Sequence, residues 1–191
     1  MNADLKIPED RVGALIGDKR RELIRIEKAT HTKMTVAEND VTIEGDAEHV
    51  WKARDVVRAV GRGFSPVRAL RLLDDNAVLE VMELGDLGES RMRTVRSRII
   101  GRGGRTREII EELAGVYISV YGKTVSVIGD DGVHAALEAI EMLIKGAQHA
   151  TIYSHLETWR SSERSSEALR SPASQALRKL GLSKKNKTHY G

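Results

Sequence analysis

Residues 98–105 read Arg98-Ile99-Ile100-Gly101-Arg102-Gly103-Gly104-Arg105, a glycine-rich turn between two apolar, helix-like segments. Glycine has no Cβ, so the main chain here can turn sharply and lie against another chain. A helix that begins at Arg105 would direct its free N–H groups and positive dipole end towards the turn. The segment 90–107 contains no acidic residue and seven arginines, namely Arg91, Arg93, Arg96, Arg98, Arg102, Arg105 and Arg107. Together these features predict a site for the phosphates of a nucleic-acid backbone.

An isolated Gly-x-Gly-Gly has a simpler interpretation, in which Gly101 is a helix C-cap and the arginines form a solvated face. This chain, however, contains the same unit twice. A shift of 84 residues aligns, without a gap, Ile16-Gly17 with Ile100-Gly101, Val41-Thr42-Ile43 with Val125-Ser126-Val127, and Gly45-Asp46 with Gly129-Asp130. The agreement indicates a tandem repeat of one domain and favours the binding-loop interpretation.

Composition limits the class of protein. A chain of 191 residues accommodates two units of this size, and a hydrophobic content of 40% suffices for two modest cores. The absence of cysteine excludes disulfides and thiolate chemistry and fits an intracellular protein. The apolar runs are too short to span a bilayer, and the first residues do not resemble a signal peptide. We therefore expect a soluble cytoplasmic protein.

The positive charge is unevenly distributed. Beyond Ser154 there are eight Lys/Arg and three Glu, a balance of +5, and subtracting this from the total of +3 leaves −2 for residues 1–153. Any nucleic-acid surface on the folded body must therefore be a local patch, and the arginine-rich turn is the candidate.

Both units show the same predicted order of elements, β-α-α-β-β-α. In the first unit we expect strands at 3–7, 33–36 and 41–44 and helices at 9–15, 20–30 and 47–60, with Asp46 as an N-cap. In the second unit we expect strands at 78–84, 117–121 and 124–128 and helices at 91–100, 105–113 and 133–145. Between them, Ser65 as N-cap and Pro66 at the first helical position mark a short helix at 67–73. This linker is apolar, so the two units should pack on each other.

This order, with Ile-Gly-x-x-Gly joining the first two helices, resembles the KH domain, a single-stranded RNA-binding module. The resemblance implies an α+β fold of two type I KH domains packed through a short linker helix, plus a basic C-terminal extension. It also implies that the loop clamps the backbone of about four nucleotides while the bases lie on an apolar groove beside the second helix. The expected division is 1–62, a degenerate KH domain; 63–76, the linker; 77–150, an intact KH domain; and 151–191, a basic helical or disordered extension.

The two loops are not equivalent. The first reads Gly17-Asp18-Lys19-Arg20, so a side chain stands where the second glycine of the motif belongs, and Asp18 would repel a phosphate. We therefore expect the first unit to be a structural or protein-binding copy. The alternative is that Lys19, Arg20 and Arg21 still contact RNA as flexible charges.

Arg107 departs from the KH pattern, because KH domains usually have an apolar groove residue there, as the first unit has with Leu23. Burial of an unpaired guanidinium is costly, so Arg107 should reach solvent or a ligand. It either points outward on a slightly rotated helix or contacts a base as a fork-shaped donor. The RNA-binding residues implied by the motif and its setting are Arg98, Ile100, Gly101, Arg102, Gly103, Gly104, Arg105, Arg107, Ile110 and Ile118.

A degenerate KH unit followed by an arginine-rich intact one is similar to the archaeal and eukaryotic KH proteins of small-ribosomal-subunit assembly. The residues that carry this resemblance are Gly63-Phe64-Ser65-Pro66-Val67-Arg68-Ala69-Leu70, residues 100–107, and Ile152-Tyr153-Ser154. The family implies binding to the 3′ end of small-subunit (16S) rRNA. It also implies contact with the α subunit of translation initiation factor 2 in archaea. In eukaryotes, members of the family are associated with a PIN-domain endonuclease and with rRNA dimethylation.

No catalytic or cofactor pattern emerges from the sequence. The glycines match neither a P-loop nor a dinucleotide fingerprint, and the six histidines show no paired metal spacing. We expect no enzyme activity, no cofactor and no metal. Besides a ribosome-assembly factor, a scaffold that docks translation or nuclease partners and a general single-stranded RNA regulator stay open. The lysines of residues 183–191 are expected to add nonspecific phosphate contacts.

Overall fold

The computed structural model describes residues 1–170, and the predicted lysine-rich end at 183–191 lies outside them. The first unit contains strands β1 (Asn2–Lys6), β2 (Lys33–Ala37) and β3 (Asp40–Glu44), and helices α1 (Glu9–Ile16), α2 (Arg21–Thr30) and α3 (Ala47–Gly61). A short helix α4 (Pro66–Ala69), extended by a 3₁₀ turn (Leu70–Leu73), joins it to the second unit. No helix of the described residues is both long and apolar enough to cross a membrane.

The second unit repeats the order of the first. It contains β4 (Val78–Glu83), α5 (Glu89–Ile100), α6 (Arg105–Ala114), β5 (Tyr117–Tyr121), β6 (Thr124–Gly129) and α7 (Gly132–Lys145), and a long helix α8 (His149–Arg170) follows. Each unit has an antiparallel three-stranded sheet, in the orders β1-β3-β2 and β4-β6-β5. The predicted α+β class and the order β-α-α-β-β-α are confirmed, with most boundaries shifted by a residue or two.

The 84-residue shift holds in three dimensions from α2 to β3. It carries α2 onto α6, β2 onto β5, and the β2–β3 register Ala37↔Asp40 onto Tyr121↔Thr124. The edge strands β1 and β4 follow a shift of 77, since Lys6 pairs with Asp40 and Glu83 with Thr124. The seven additional residues of the second unit form a longer β4–α5 loop and an additional turn of α5, which begins at Glu89 rather than at the predicted position 91.

In each unit, one glutamate links a helix to the edge strand that follows it in the chain, which is β2 in the first unit and β5 in the second. The carboxylate of Glu27 on α2 accepts the backbone N–H of Met34 at 2.7 Å, and that of Glu111 on α6 accepts the N–H of Ile118 at 2.8 Å. These charge-assisted bonds satisfy a strand donor that faces away from the sheet. The same hydrogen bond recurs 84 residues later and holds the helix beside the strand in both units.

The two units share an interface built from the outer face of the second sheet. Ile128 of β6 is fully buried among the core residues of the first unit, and the hydroxyl of Ser119 donates to the carbonyl of Arg62 at 2.8 Å. On the side of the first unit, the Arg11 guanidinium donates to the carbonyls of Val60 and Phe64, at 2.9 and 2.8 Å, and so holds the start of the linker against α1. The expected packing of the two units through an apolar linker is therefore present.

An exposed hydrogen bond also crosses this interface. The hydroxyl of Tyr121 donates to the carboxylate of Asp10 at 2.6 Å, with the Arg11 guanidinium over the ring. The bond to Asp10, together with partial burial, raises the pKa of Tyr121 above its usual value. The tip of β5 is thus tied to α1 of the first unit.

Of the two predicted N-caps, one makes its capping hydrogen bond and the other does not. The side chain of Ser65 accepts the N–H of Arg68 and caps α4, as predicted. Asp46 occupies the N-cap position of α3, but its side chain makes no capping hydrogen bond. Helix α8 begins at His149, and its side chains Ile152 and Leu156 are fully buried in the second core.

Among residues 1–170, four residues other than glycine have positive φ, and all of them lie in the first unit. They are Lys19, Arg20, His31 and Glu38. The 84-residue shift places each on a glycine of positive φ, namely Gly103, Gly104, Gly115 and Gly122. The first unit therefore has the backbone of the repeat without its glycines, at a cost of roughly 1–2 kcal/mol for each left-handed residue.

We expect His31→Gly to raise the free energy of unfolding of the first unit by about 1 kcal/mol, because glycine adopts the left-handed conformation without strain. His31 ends α2 at φ 54° and is exposed, so little packing is lost. Urea denaturation of the full chain measures the change. The reciprocal variant Gly115→His should be destabilised by a similar amount, and unchanged stability in both variants would contradict the repeat-based account.

Candidate nucleic-acid interface

The Gly101–Gly104 loop has a backbone that requires glycine at its first position. Gly101 has φ 73° and ψ 175°, a region that residues with a side chain hardly occupy. A Cβ on Gly101 would lie 2.2 Å from the hydroxyl oxygen and 2.8 Å from the backbone nitrogen of Thr106. The loop thus folds tightly onto the first turn of α6, and its conformation is fixed by this contact.

The other two glycines of the loop leave space for a ligand. Gly103 (φ 59°) and Gly104 (φ 84°) have no backbone atom within 4 Å of the position that a Cβ would occupy, so their main chain is open to an approaching group. The first N–H groups of α6 follow at once, since the helix begins at Arg105. Side chains of Arg102 and Arg105 are exposed on either side. An anion that reaches this point meets backbone donors, a helix dipole and guanidinium groups.

Helix α8 contacts the residues on both sides of this loop. The hydroxyl of Tyr153 donates to that of Thr106 at 3.4 Å, and a ring nitrogen of His149 lies 3.1 Å from the carbonyl of Arg98. The guanidinium of Arg98 is half-buried and donates to the carbonyl of Ala147. Arg98, predicted as an RNA contact, is therefore engaged in holding α5 to the start of α8.

The predicted residues separate into three groups by exposure. Arg102, Gly103 and Arg105 are exposed, whereas Arg98, Ile100, Gly101, Gly104 and Arg107 are partly buried. Ile110 and Ile118 are 0% and 1% exposed and belong to the second core. Direct contact of RNA with these two side chains is not available in this conformation, because the surrounding core covers them. They form the layer beneath the groove.

Arg107 is folded over the loop. Its side chain is partly buried, and its guanidinium Nη2 lies 3.7 Å from the position that a Cβ on Gly104 would occupy. Its Nε atom is buried without a hydrogen-bond partner among the described residues. The interpretation that Arg107 merely points outward does not match this geometry.

Arg96 belongs to the predicted arginine run but not to the predicted site residues. Its guanidinium donates to the carbonyl of Gly122 in the β5–β6 turn, and its Nε is buried without a partner among residues 1–170. The corresponding residue of the first unit is the apolar Val12. An arginine in place of an apolar helix position was the sequence signal that could have identified it. Arg96 bridges α5 and the hairpin that borders the groove.

The first unit keeps the shape of the loop. Gly17 has φ 69° and ψ 176°, nearly the values of Gly101, and it packs against Glu22 as Gly101 packs against Thr106. Lys19 and Arg20 take the left-handed conformations of Gly103 and Gly104, with their side chains exposed. The two loops therefore share one backbone conformation and differ in the side chains at their surface.

The surface of the first unit offers two depressions near this loop. A groove of about 190 Å³ lies between α1, the loop, α2 and β2, and its lining residues are Ile16, Arg20, Leu23, Met34, Thr35 and Val36. A broader depression of about 710 Å³ lies along the exposed face of α2, around Ile24 and four basic side chains, namely Lys19, Arg21, Arg25 and Lys28. The 84-residue shift carries the lining of the narrower groove onto Ile100, Gly104, Arg107, Ile118, Ser119 and Val120 of the second unit.

Comparison with known proteins agrees with this fold. Residues 2–59 match the KH domain family, and residues 78–161 match the family described as the eukaryotic type KH domain, type I. The fold and the loops together define the class: this is a tandem KH-domain protein, and KH domains bind RNA.

Relatives along most of the chain define the family more closely. A KH domain-containing protein of Methanocaldococcus jannaschii is 48% identical over 162 residues, which cover 80% of this chain and 71% of that protein. Dim2p from Pyrococcus horikoshii is 46% identical, with a TM-score of 0.77 over 83% of this chain and 99% of that one. The chain belongs to the archaeal and eukaryotic family of small-ribosomal-subunit assembly KH proteins that includes Dim2p.

Two further solved structures are similar. In a crystal structure of an a/eIF2alpha–aDim2p–rRNA complex from Pyrococcus horikoshii, the matching chain is 45% identical, with a TM-score of 0.79 over 85% of this chain and 95% of that one. A protein of unknown function from Aeropyrum pernix is 35% identical, with a TM-score of 0.83 over 89% of this chain and 96% of that one.

Proposed function

We propose that this protein binds the single-stranded 3′ end of small-subunit (16S) rRNA during ribosome assembly, with the second KH domain as the main RNA-binding unit. The observation that carries the proposal is the Gly101–Gly104 loop, whose main chain is open at Gly103 and Gly104 and is followed directly by the N-terminus of α6. No acidic residue lies between Ser90 and Arg107, and the carboxylate beside this loop is that of Glu108, 3.8 Å from the Arg105 guanidinium.

Binding follows from these parts. A phosphate accepts hydrogen bonds from the backbone N–H groups of the loop and the first turn of α6, while Arg102 and Arg105 neutralise its charge. The adjoining bases lie in the groove between α6 and β5, where Arg107 supplies donors to a base edge. The body of the chain is slightly acidic overall, so binding depends on this local patch.

The ribosomal assignment and the partners are supported by the family. A related Dim2p forms a complex with rRNA and a/eIF2alpha, and we extend both contacts to this protein in the cytoplasm. The proposal includes a PIN-domain endonuclease as a further partner and assigns the chain no catalytic step, cofactor or metal. The protein then acts by holding the rRNA end for other factors.

Binding of a fluorescent oligonucleotide with the sequence of the 16S rRNA 3′ end, beside a scrambled oligonucleotide of equal length and composition, tests the proposal. We expect tighter binding of the rRNA sequence, at an ionic strength stated for both. Equal affinity for the two would remove the ribosomal assignment. Absence of binding to either would favour a protein scaffold.

We expect Arg107→Leu, which copies the Leu23 of the first unit, to lower affinity for the rRNA oligonucleotide about tenfold, because it removes donors to a charged or polar RNA group. The stability of the chain should stay equal or rise, since Arg107 Nε is buried without a partner among the described residues. Fluorescence anisotropy and urea denaturation measure the two effects. A loss of stability with unchanged RNA affinity would show that Arg107 is structural.

A further inference from the structure

The loop of the second KH domain is joined on both sides to helix α8, which follows the six elements of that domain. On the α5 side, a ring nitrogen of His149 lies 3.1 Å from the carbonyl of Arg98. A carbonyl only accepts hydrogen bonds, so this nitrogen is the donor. On the α6 side, the hydroxyl of Tyr153 donates to that of Thr106 at 3.4 Å, and Thr106 is the residue that packs against Gly101. Both ends of the loop are therefore bonded to one helix.

Helix α8 is itself fixed to the core of the second domain. The side chains of Ile152 and Leu156 are fully buried there. Farther along the helix, a ring carbon of Trp159 lies 3.1 Å from the position that a Cβ on Gly132 would occupy, at the start of α7. Because these contacts do not involve the loop, α8 is a rigid support for the residues to which it is bonded.

The first unit differs at both of the bonded positions. The 84-residue shift places Ala14 at the position of Arg98 and Glu22 at that of Thr106. Ala14 has no polar side-chain group, and the carboxylate of Glu22 pairs with Arg25 of its own helix at 3.0 Å. The loop of this unit contains one glycine, against three in the second. The bonds to a further helix thus accompany the loop whose backbone has more freedom to lose on binding.

We infer that α8 is a positioning element of the RNA site, in which His149 and Tyr153 hold the Gly101–Gly104 loop in its binding conformation without contacting the RNA. The inference rests on the proposed RNA-binding function and adds to it residues outside the loop and the groove. A loop with glycine at three of four positions loses conformational entropy when a phosphate orders it. Because α8 restrains both ends of the loop, part of that entropy is lost on folding, and binding is less costly.

His149→Ala should lower the affinity of the full chain for the single-stranded 16S rRNA 3′-end oligonucleotide about fivefold, because the bond to the Arg98 carbonyl is lost. Fluorescence anisotropy over a series of salt concentrations measures the effect. The slope of log K against log salt concentration reports the number of phosphate contacts, at about 0.7 for each phosphate of a single strand. This slope should stay unchanged in His149→Ala, whereas Arg102→Ala should lower both the affinity and the slope.

His155→Ala is the matched control. It removes the same side chain from α8 at a position where the imidazole bonds to Glu138 of α7, at 3.2 Å, instead of to the loop. Its RNA affinity should stay within about 1.5-fold of the unchanged chain. His149→Gln has an amide that can donate to the same carbonyl, so it should recover most of the affinity. Tyr153→Phe removes only a hydroxyl group and should lower the affinity about twofold.

Backbone amide relaxation of the free protein gives a readout that a general loss of stability would not produce. In His149→Ala, the NMR order parameters of the Gly103 and Gly104 amides should fall from about 0.85, typical of a rigid backbone, towards about 0.6. The amides of β5 and β6 should keep their values. Urea denaturation verifies that each variant is folded under the conditions of the binding assay.

An RNA affinity of His149→Ala equal to that of the unchanged chain would overturn the role of α8. Equal losses in His149→Ala and His155→Ala would also overturn it, because general loosening of α8 would then be the cause. A reduced salt slope in His149→Ala would show that the histidine itself contacts RNA and would contradict a positioning role. If the unchanged chain does not bind the oligonucleotide, the proposed function itself fails.

Discussion

Replacing Gly103 and Gly104 together with aspartate should lower the affinity for single-stranded RNA roughly 100-fold or more. Two carboxylates would stand where the main chain meets the phosphate, so the charge-assisted backbone bonds are lost and repulsion is added, and each such bond contributes about 1.5–3 kcal/mol. An added Cβ has nothing within 4 Å at Gly103, and at Gly104 its neighbour is the flexible end of the Arg107 side chain at 3.7 Å, so the substitution blocks the ligand without disturbing the core. Fluorescence anisotropy with the rRNA 3′-end oligonucleotide measures the loss.

Gly115→Asp is the matched control for this variant. Gly115 ends α6 with φ 69° and has no neighbour within 4 Å of an added Cβ, so the aspartate there adds one charge and one strained left-handed residue at the opposite end of the helix, half of what the loop variant adds. Its RNA affinity should stay within about threefold of the unchanged chain, a difference below 1 kcal/mol. If the control and the loop variant lose affinity equally, strain and net charge explain the loss, and the loop does not grip RNA.

Gly101→Ala should destabilise the second domain by roughly 2–4 kcal/mol. The new Cβ would lie 2.2 Å from the Thr106 hydroxyl oxygen and 2.8 Å from the Thr106 backbone nitrogen, and its φ of 73° with ψ of 175° disfavours any side chain. The first turn of α6 must shift to relieve the contact, and this turn also carries the bond to Tyr153 of α8. Urea denaturation followed by circular dichroism measures the change.

Gly103→Ala separates backbone strain from the steric clash. Gly103 has a similar φ of 59° but nothing within 4 Å of an added Cβ. Gly103→Ala should therefore lower the free energy of unfolding by close to 1 kcal/mol. Equal destabilisation by Gly101→Ala and Gly103→Ala would show that Thr106 can move aside without loss of stability. The contact between Gly101 and Thr106 would then not fix the loop.

The sequence predicted the architecture because local signals agreed with the repeat. The glycine turn, the two apolar helical faces and the polar turn at residues 37–40 recur at one spacing, so each unit supported the assignment of the other. The seven additional residues of the second unit lengthen the β4–α5 loop and α5 itself, where the two copies do not align, and there the predicted start of α5 was two residues late. The backbone of the first loop was also not predictable, because Lys19 and Arg20 do not favour positive φ.

The candidate site was predicted in outline and differs in its details. The glycine loop and the exposed arginines at positions 102 and 105 lie together as the motif implied. The engagement of Arg98 with Ala147, and the bridge from Arg96 to Gly122, depend on tertiary contacts over 49 and 26 residues that periodicity does not reveal. Ile110 and Ile118 were assigned to the groove from the motif, but in a small domain the layer directly beneath a groove is also the core.

Photo-crosslinking of a 4-thiouridine-labelled 16S rRNA 3′-end oligonucleotide to the full chain, with the attached peptides mapped by mass spectrometry, tests the central claim most directly. At an RNA concentration just sufficient for half-saturation, we predict that most crosslinks fall between Arg96 and Tyr121, around the Gly101–Gly104 loop and β5. Crosslinks that concentrate in residues 16–36 at half-saturation would contradict the assignment of the second KH domain as the main RNA-binding unit.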